Sequence, residues 1–134
     1  MLIAHVIRDK GPAVYALQAH ATLEQAAKEL NLRRVGALVV LDEAGAVIGV
    51  LSERDIVREV ANRGAGCLGD RVSAAMSVEV IPAQPSETVD EGLSRMTDRR
   101  VRHLPVLLDG KLVGIISIGD LVKHRIAAAE AAAA

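Results

Sequence analysis

Gly49-Val50-Leu51-Ser52-Glu53-Arg54-Asp55 and Gly114-Ile115-Ile116-Ser117-Ile118-Gly119-Asp120 decide how this chain is read. Each is a short apolar run carrying a glycine that breaks into Ser-x-x-Asp. Serine at the N-cap with aspartate three residues on is a helix-start signature, so each stretch predicts a strand passing directly into a helix. A single copy needs no further explanation. Two copies do: Ser52 to Ser117 and Asp55 to Asp120 are both separated by 65 residues. Glycine is costly inside a strand, and its recurrence marks a point where a ligand or another backbone comes close.

Outward from these stretches the duplication continues. Thr22-Leu23-Glu24-Gln25 and Thr88-Val89-Asp90-Glu91 are capping boxes, 66 residues apart. A helical stripe follows each, Leu23, Ala26, Ala27 and Leu30 in one half and Val89, Leu93 and Met96 in the other. Then come paired short apolar runs that read as buried strands, Ala37–Leu41 with Val47–Leu51, and Leu104–Leu108 with Leu112–Ile116. The turn between the first pair is Asp42-Glu43-Ala44-Gly45. That between the second is Asp109-Gly110, a strong hairpin signal. Upstream, 13–17 and 78–82 supply one more short strand to each half. The glycine-bearing stretch 63–69 reads as a flexible linker, and the alanine-rich tail 127–134 as a continuation of the last helix that frays. Units of about 60 residues are marginal alone. The expectation is therefore one pseudo-twofold module, with a first repeat at 1–66 (core about 6–62) and a second at 67–134 (core about 73–127).

Composition narrows the function. The 134 residues carry 16 Lys+Arg against 17 Asp+Glu, a net charge of -1, which leaves no basic footprint for nucleic acid or anionic lipid. With one Tyr and no Phe or Trp, base-stacking platforms are absent. No apolar run is long enough to span a membrane, and the first residues lack the order of a signal peptide. The lone Cys67 forbids an internal disulfide and reads as a small side chain in a loop. These features fit a reduced, cytoplasmic protein. His5, His20, His103 and His124 show no paired ligand spacing, so no metal is expected. Ser52 and Ser117 have no base beside them in sequence, which argues against a nucleophile.

The doubled strand-to-helix stretch can nevertheless do chemistry beyond capping. A helix N-terminus offers free N–H groups and positive dipole to an anion. Ser52 and Arg54 suit a phosphate, and the acceptor-only carboxylate of Asp55 suits the two hydroxyls of a ribose. The basic run Arg99-Arg100-Val101-Arg102-His103 reads equally well as a solvated helix end or as a phosphate contact.

The paired Gly-x-x-Ser-x-x-Asp stretches, the Thr-led helices and Val101-Arg102-His103-Leu104-Pro105-Val106 together resemble tandem cystathionine β-synthase (CBS) domains, the pair known as a Bateman module. The resemblance covers roughly residues 6–127 and leaves no room for a further domain, so a stand-alone pair is expected. It implies an α/β (α+β) fold of two β-α-β-β-α repeats, sheets face to face, with clefts that take adenosine-containing ligands: AMP above all, and ADP, ATP, S-adenosylmethionine or NAD(H). Carried over residue by residue, Asp55 and Asp120 hold ribose hydroxyls, and Ser52, Arg54, Ser117, Arg102 and His103 lie at phosphate. Adenine packs near Ala16, Ala37, Ile81 and Pro82.

The halves differ: Gly119 stands where Arg54 does, and Gly36 and Ala37 stand where Arg102 and His103 do, so two unequal sites are expected. A homodimer through exposed helices is implied by the resemblance and fits the mean hydropathy of +0.29. The functional expectation is a nucleotide-sensing regulatory module acting on a protein partner. The alternative is a structural dimerisation or adaptor protein with vestigial clefts. An enzyme, prompted by the CBS pairs inside inosine monophosphate dehydrogenase, is not expected, because the pair fills the chain.

Overall fold

Thr22 and Thr88 start their helices as the capping boxes require. In the computed structural model, which describes residues 1–11 and 13–133, the Thr22 hydroxyl accepts from the Gln25 N–H at 3.1 Å and Gln25 returns the bond at 2.8 Å. Thr88 and Glu91 repeat this at 3.1 and 3.3 Å. The helices so started are α2 (Leu23–Arg33) and α4 (Val89–Arg99). Both end on an arginine in the left-handed region, Arg34 and Arg100, each at φ 55°. In both, the next valine closes the turn, Val35 N–H to Leu30 O at 3.2 Å and Val101 N–H to Met96 O at 3.1 Å.

Each helix is followed by an antiparallel pair and a further helix: β2 (Ala37–Leu41), β3 (Val47–Ser52) and α3 (Glu53–Arg63), then β4 (His103–Leu108), β5 (Lys111–Ser117) and α5 (Ile118–Ala133). Register irregularities fall at matching places, Val40/Leu41 and Val106/Leu107. Asp109 and Gly110 both have positive φ, 52° and 77°, as a two-residue turn matched to strand twist demands. The last helix runs through the alanine tail to Ala133. Ala134, the end of the expected tail, lies outside the described residues.

The third strand of each half is where the repeats part. In the first, β1 (Ala16–Gln18) pairs parallel to β2. The strand expected over 78–82 does not form. Only Ala83 pairs, as an isolated parallel bridge to Val106. The cause is a missing donor. Val39 gives its N–H to Tyr15 O at 3.3 Å, but its counterpart is Pro105, which has no N–H to give. What survives is Ala83 N–H to Pro105 O and Leu107 N–H to Ala83 O, both 2.9 Å.

The chain forms two compact units, Tyr15–Val80 and a composite of Met1–Val14 with Ile81–Ala134. A helix that the periodicity did not reveal, α1 (Ile3–Lys10), accounts for the composite. Its Ile3 and Val6 are fully buried in one core with Val89, Met96, Leu104, Ile116 and Leu121. Residues 70–77 do the same for the other unit. Leu2 bridges Thr88 as Arg71 bridges Thr22, and Val89 donates to Met1 O at 3.0 Å as Leu23 donates to Asp70 O at 2.9 Å.

The expected flexible linker is structured. Ala65–Gly69 forms a 3-10 turn, and Cys67, 3% exposed, sits in the core with Leu23, Leu38 and Val72. A small apolar thiol on a glycine-flanked turn drops into a gap that a bulkier loop residue would not enter. Arg63 fastens the turn through an ion pair to Asp70 at 2.7 Å.

Candidate functional site

In the Tyr15–Val80 unit, β3 delivers Ser52 to the N-cap of α3. The Ser52 hydroxyl accepts from the Asp55 N–H at 3.3 Å, and Asp55 Oδ2 accepts from the Ser52 N–H at 2.8 Å and from its hydroxyl at 3.1 Å. Asp55 Oδ1 accepts from Arg58 at 2.9 Å. Asp55 is 7% exposed and is the buried charged residue of the described chain; both its oxygens are engaged. Ala37 is the register partner of Ser52, and Ala16 pairs with Val39 on the adjoining strand. Arg54 is exposed.

In the composite unit the same grammar gives a different result. Asp120 Oδ2 accepts from the Ser117 N–H at 2.9 Å, and the Ser117 hydroxyl accepts from the Asp120 N–H at 3.0 Å. The second cation comes from another element: Lys10, at the end of α1, donates to Asp120 Oδ2 and to Ile115 O, both at 2.8 Å. Burial pushes the Asp120 carboxyl up, but the Lys10 ammonium and the Ser117 N–H outweigh it and hold the group below the ordinary aspartate range. His103 is the register partner of Ser117 and is half-buried, while Arg102 is exposed. The Pro82 carbonyl accepts from Arg95 at 3.0 Å. Arg95 also clamps Glu87 through both guanidinium nitrogens, holding that carboxyl below its usual range. The loop that carries Ile81 and Pro82 is thereby fixed to α4.

The nominated residues thus fall into two sets. Ala16, Ala37, Ser52, Arg54 and Asp55 lie in one unit, and Ile81, Pro82, Arg102, His103, Ser117 and Asp120 in the other. In each unit a strand end, a cap and a carboxylate stand together.

The strand glycines have an explanation inside the chain. A Cβ on Gly49 would stand 2.6 Å from Met76 Sδ and 2.9 Å from Ser77 O. One on Gly114 would stand 2.4 Å from Ile7 Cδ1. Of the two readings open to a strand glycine, approach by the protein's own flanking segments is the one realised. The sequence reading missed Arg58 and Lys10 as partners of the two aspartates. Arg58 was available, since it stands one helical turn beyond Asp55. Lys10 was hidden, because α1 repeats residues 70–77 only as a sparse apolar pattern: Ile3, Val6 and Ile7 against Val72, Ala75 and Met76.

Among the described residues no group of three or more metal-binding side chains occurs, and no helix is long and apolar enough to cross a membrane.

The geometry defines a duplicated mixed α/β module whose strand-to-helix junctions carry paired Ser/Asp caps. The CBS domain family model matches residues 8–62 and 72–127, and the chain belongs to that family. The CBS-domain protein ATU1752 of Agrobacterium tumefaciens is 40% identical, with a TM-score of 0.89 over 92% of each chain. The CBS domain protein PAE2072 of Pyrobaculum aerophilum, solved in complex with AMP, is 30% identical, with a TM-score of 0.85 over 100% of each chain. An uncharacterised 17.7 kDa protein of Acidianus ambivalens is 36% identical over 111 residues, 82% of this chain. The chain spans 66% of the length of that relative and 52% of the length of another curated one.

Proposed function

We propose that this CBS pair is a regulatory module that binds an adenine nucleotide, AMP foremost and ADP, ATP or NAD(H) as alternatives, and passes occupancy to a protein partner. One observation carries the reading. At the same point of both repeats, a buried or half-buried carboxylate is fixed by its own serine at a helix N-terminus. An exposed guanidinium without an ion pair among the described residues, Arg54 or Arg102, stands in each unit. A fixed acceptor with an exposed cation in the same unit suits a ribose phosphate. The relative from Pyrobaculum aerophilum, matched over its full length and solved with AMP, supports the same reading. Ser52, Arg54, Ser117, Arg102 and His103 would meet phosphate, Asp55 and Asp120 ribose, and Ala16, Ala37, Ile81 and Pro82 adenine. A homodimer belongs to this proposal, and the exposure of Val57 on α3 and Ile126 on α5 supports it.

The adaptor reading has its own support: the caps are satisfied internally, and the strand glycines face the protein's own side chains. Thermal shift with AMP, ADP, ATP, NAD and NADH separates the two. A ligand at a hundred times its Kd adds about 2.7 kcal/mol of stability, and Asp55→Asn together with Asp120→Asn removes the shift. No shift with any of the five nucleotides leaves the adaptor.

A further inference from the structure

Asp55 and Asp120 occupy the same place in the repeat, yet one receives donors on both carboxylate oxygens and the other on one. Asp55 spends Oδ2 on Ser52 and Oδ1 on Arg58. Asp120 receives both of its donors, Ser117 and Lys10, on Oδ2, so Oδ1 accepts nothing among the described residues. Lys10 has a donor to spare as well. An ammonium carries three N–H groups, and two are used, on Asp120 Oδ2 and Ile115 O. A vacant acceptor and a vacant donor therefore lie side by side on the ion pair that joins α1 to α5, whose two side chains are 31% and 27% exposed. A hydroxyl both donates and accepts, so this pairing is complementary to an alcohol.

We propose that Lys10 is a ligand-binding residue of the Asp120 site: its third N–H donates to a ribose hydroxyl whose own hydrogen goes to Asp120 Oδ1. The proposal rests on the reading of Asp120 as a ribose acceptor. It makes the two sites unequal in a way their sequence motifs do not show. In the other unit the carbonyl equivalent to Ile115 O is that of Val50, which accepts from the Ser77 backbone N–H at 3.0 Å, and the cation on Asp55 is Arg58 of its own helix. Asp120 offers both lone pairs of Oδ1 to a ribose, whereas Arg58 already takes one of the two on Asp55 Oδ1.

The test is calorimetric titration of the full chain with AMP, 2′-deoxy-AMP and 3′-deoxy-AMP, using wild type, Lys10→Met, Lys10→Arg and Asp120→Asn. Methionine keeps the aliphatic stem, and arginine keeps a cation. Lys10→Met should weaken one AMP-binding step about tenfold to a hundredfold, the worth of a charged hydrogen bond. Lys10→Arg should recover most of it. One of the deoxy ligands should already be weak and should lose no more than about twofold further on Lys10→Met, because the hydroxyl contact is gone. Equal losses for AMP and both deoxy ligands would mean that Lys10 merely supports the fold, and the proposal fails. AMP binding that is unchanged by Lys10→Met but weakened by Asp120→Asn overturns the role of Lys10 alone. Wild-type chain that binds no AMP, or binding indifferent to Asp120→Asn, overturns the ribose reading and this proposal with it.

Discussion

The two units solve one problem with different pieces of chain. Tyr15–Val80 is contiguous and takes its extra apolar cover from the segment immediately after α3, whereas the composite unit takes it from the opposite end of the sequence. The contiguous unit holds a three-stranded sheet, the composite unit a two-stranded one with a single added bridge. The difference teaches that a duplicated sequence fixes the frame, caps and hairpins of both copies but not what fills their edges. Edges depend on single residues: one proline removes a ladder donor, and one lysine changes what an aspartate can accept.

The sharpest way to break this comparison is to remove α1 from the core it fills. Ile3→Ala should cost about 2–5 kcal/mol, the range for a fully buried aliphatic truncation, read by urea denaturation; a cost near zero would detach α1 from the composite unit. Next come the two strand glycines. Gly49→Ala pushes against the backbone carbonyl of Ser77 as well as Met76, whereas Gly114→Ala meets only the end of Ile7. Overpacking of the first should cost about 1–3 kcal/mol, and the second should cost less, because the Ile7 side chain can turn away. Equal losses in denaturation would refute the asymmetry.

The arginines that end α2 and α4 provide the symmetric control. Arg34→Gly and Arg100→Gly should each stabilise the chain by about 0.5–1 kcal/mol, since glycine holds positive φ without strain. Their shared φ of 55° requires the two gains to match, as judged by midpoint shifts in thermal melts. The smallest effect is the acid response of Asp120. Its folded pKa lies below its unfolded one, so the contribution of this half-exposed pair is complete above the ordinary aspartate value of 3.8 and is lost as pH falls through the folded value. Lys10→Met removes the strongest opposing interaction and leaves burial, so the carboxyl midpoint should move up in a side-chain NMR titration. An unmoved midpoint would show that the pair does not form in solution.

Much of this was readable in advance. Threonine and serine caps, paired apolar runs and the Asp109-Gly110 turn each act through a few neighbouring residues, so local pattern sufficed for the α-β-β-α frame that both repeats share. The local pairing of Ser52 with Asp55 and of Ser117 with Asp120 was equally plain. The failures all involve distance or context. The stretch 78–82 looks like a strand until the missing donor of Pro105, on the strand it would pair with, is counted. Residues 63–69 look loose until Cys67 is seen to have a core to enter. Eight residues at the start of the chain show too short a stripe to announce a helix, and the partner that makes it one lies some hundred residues on. Lys10 was invisible for the same reason.

That distant partnership has a bearing on how the protein is made. Residues 15–80 can close their core while the rest of the chain is still emerging from the ribosome, with few long loops to shut. The other core must wait for β4, β5 and α5, and during that wait the apolar face of α1, with Ile3 and Val6, has no native cover. Synthesis thus passes through an interval in which every residue of one core is present while Ile3 and Val6 still lack the partners that bury them, the moment at which a holdase chaperone would have most to grip.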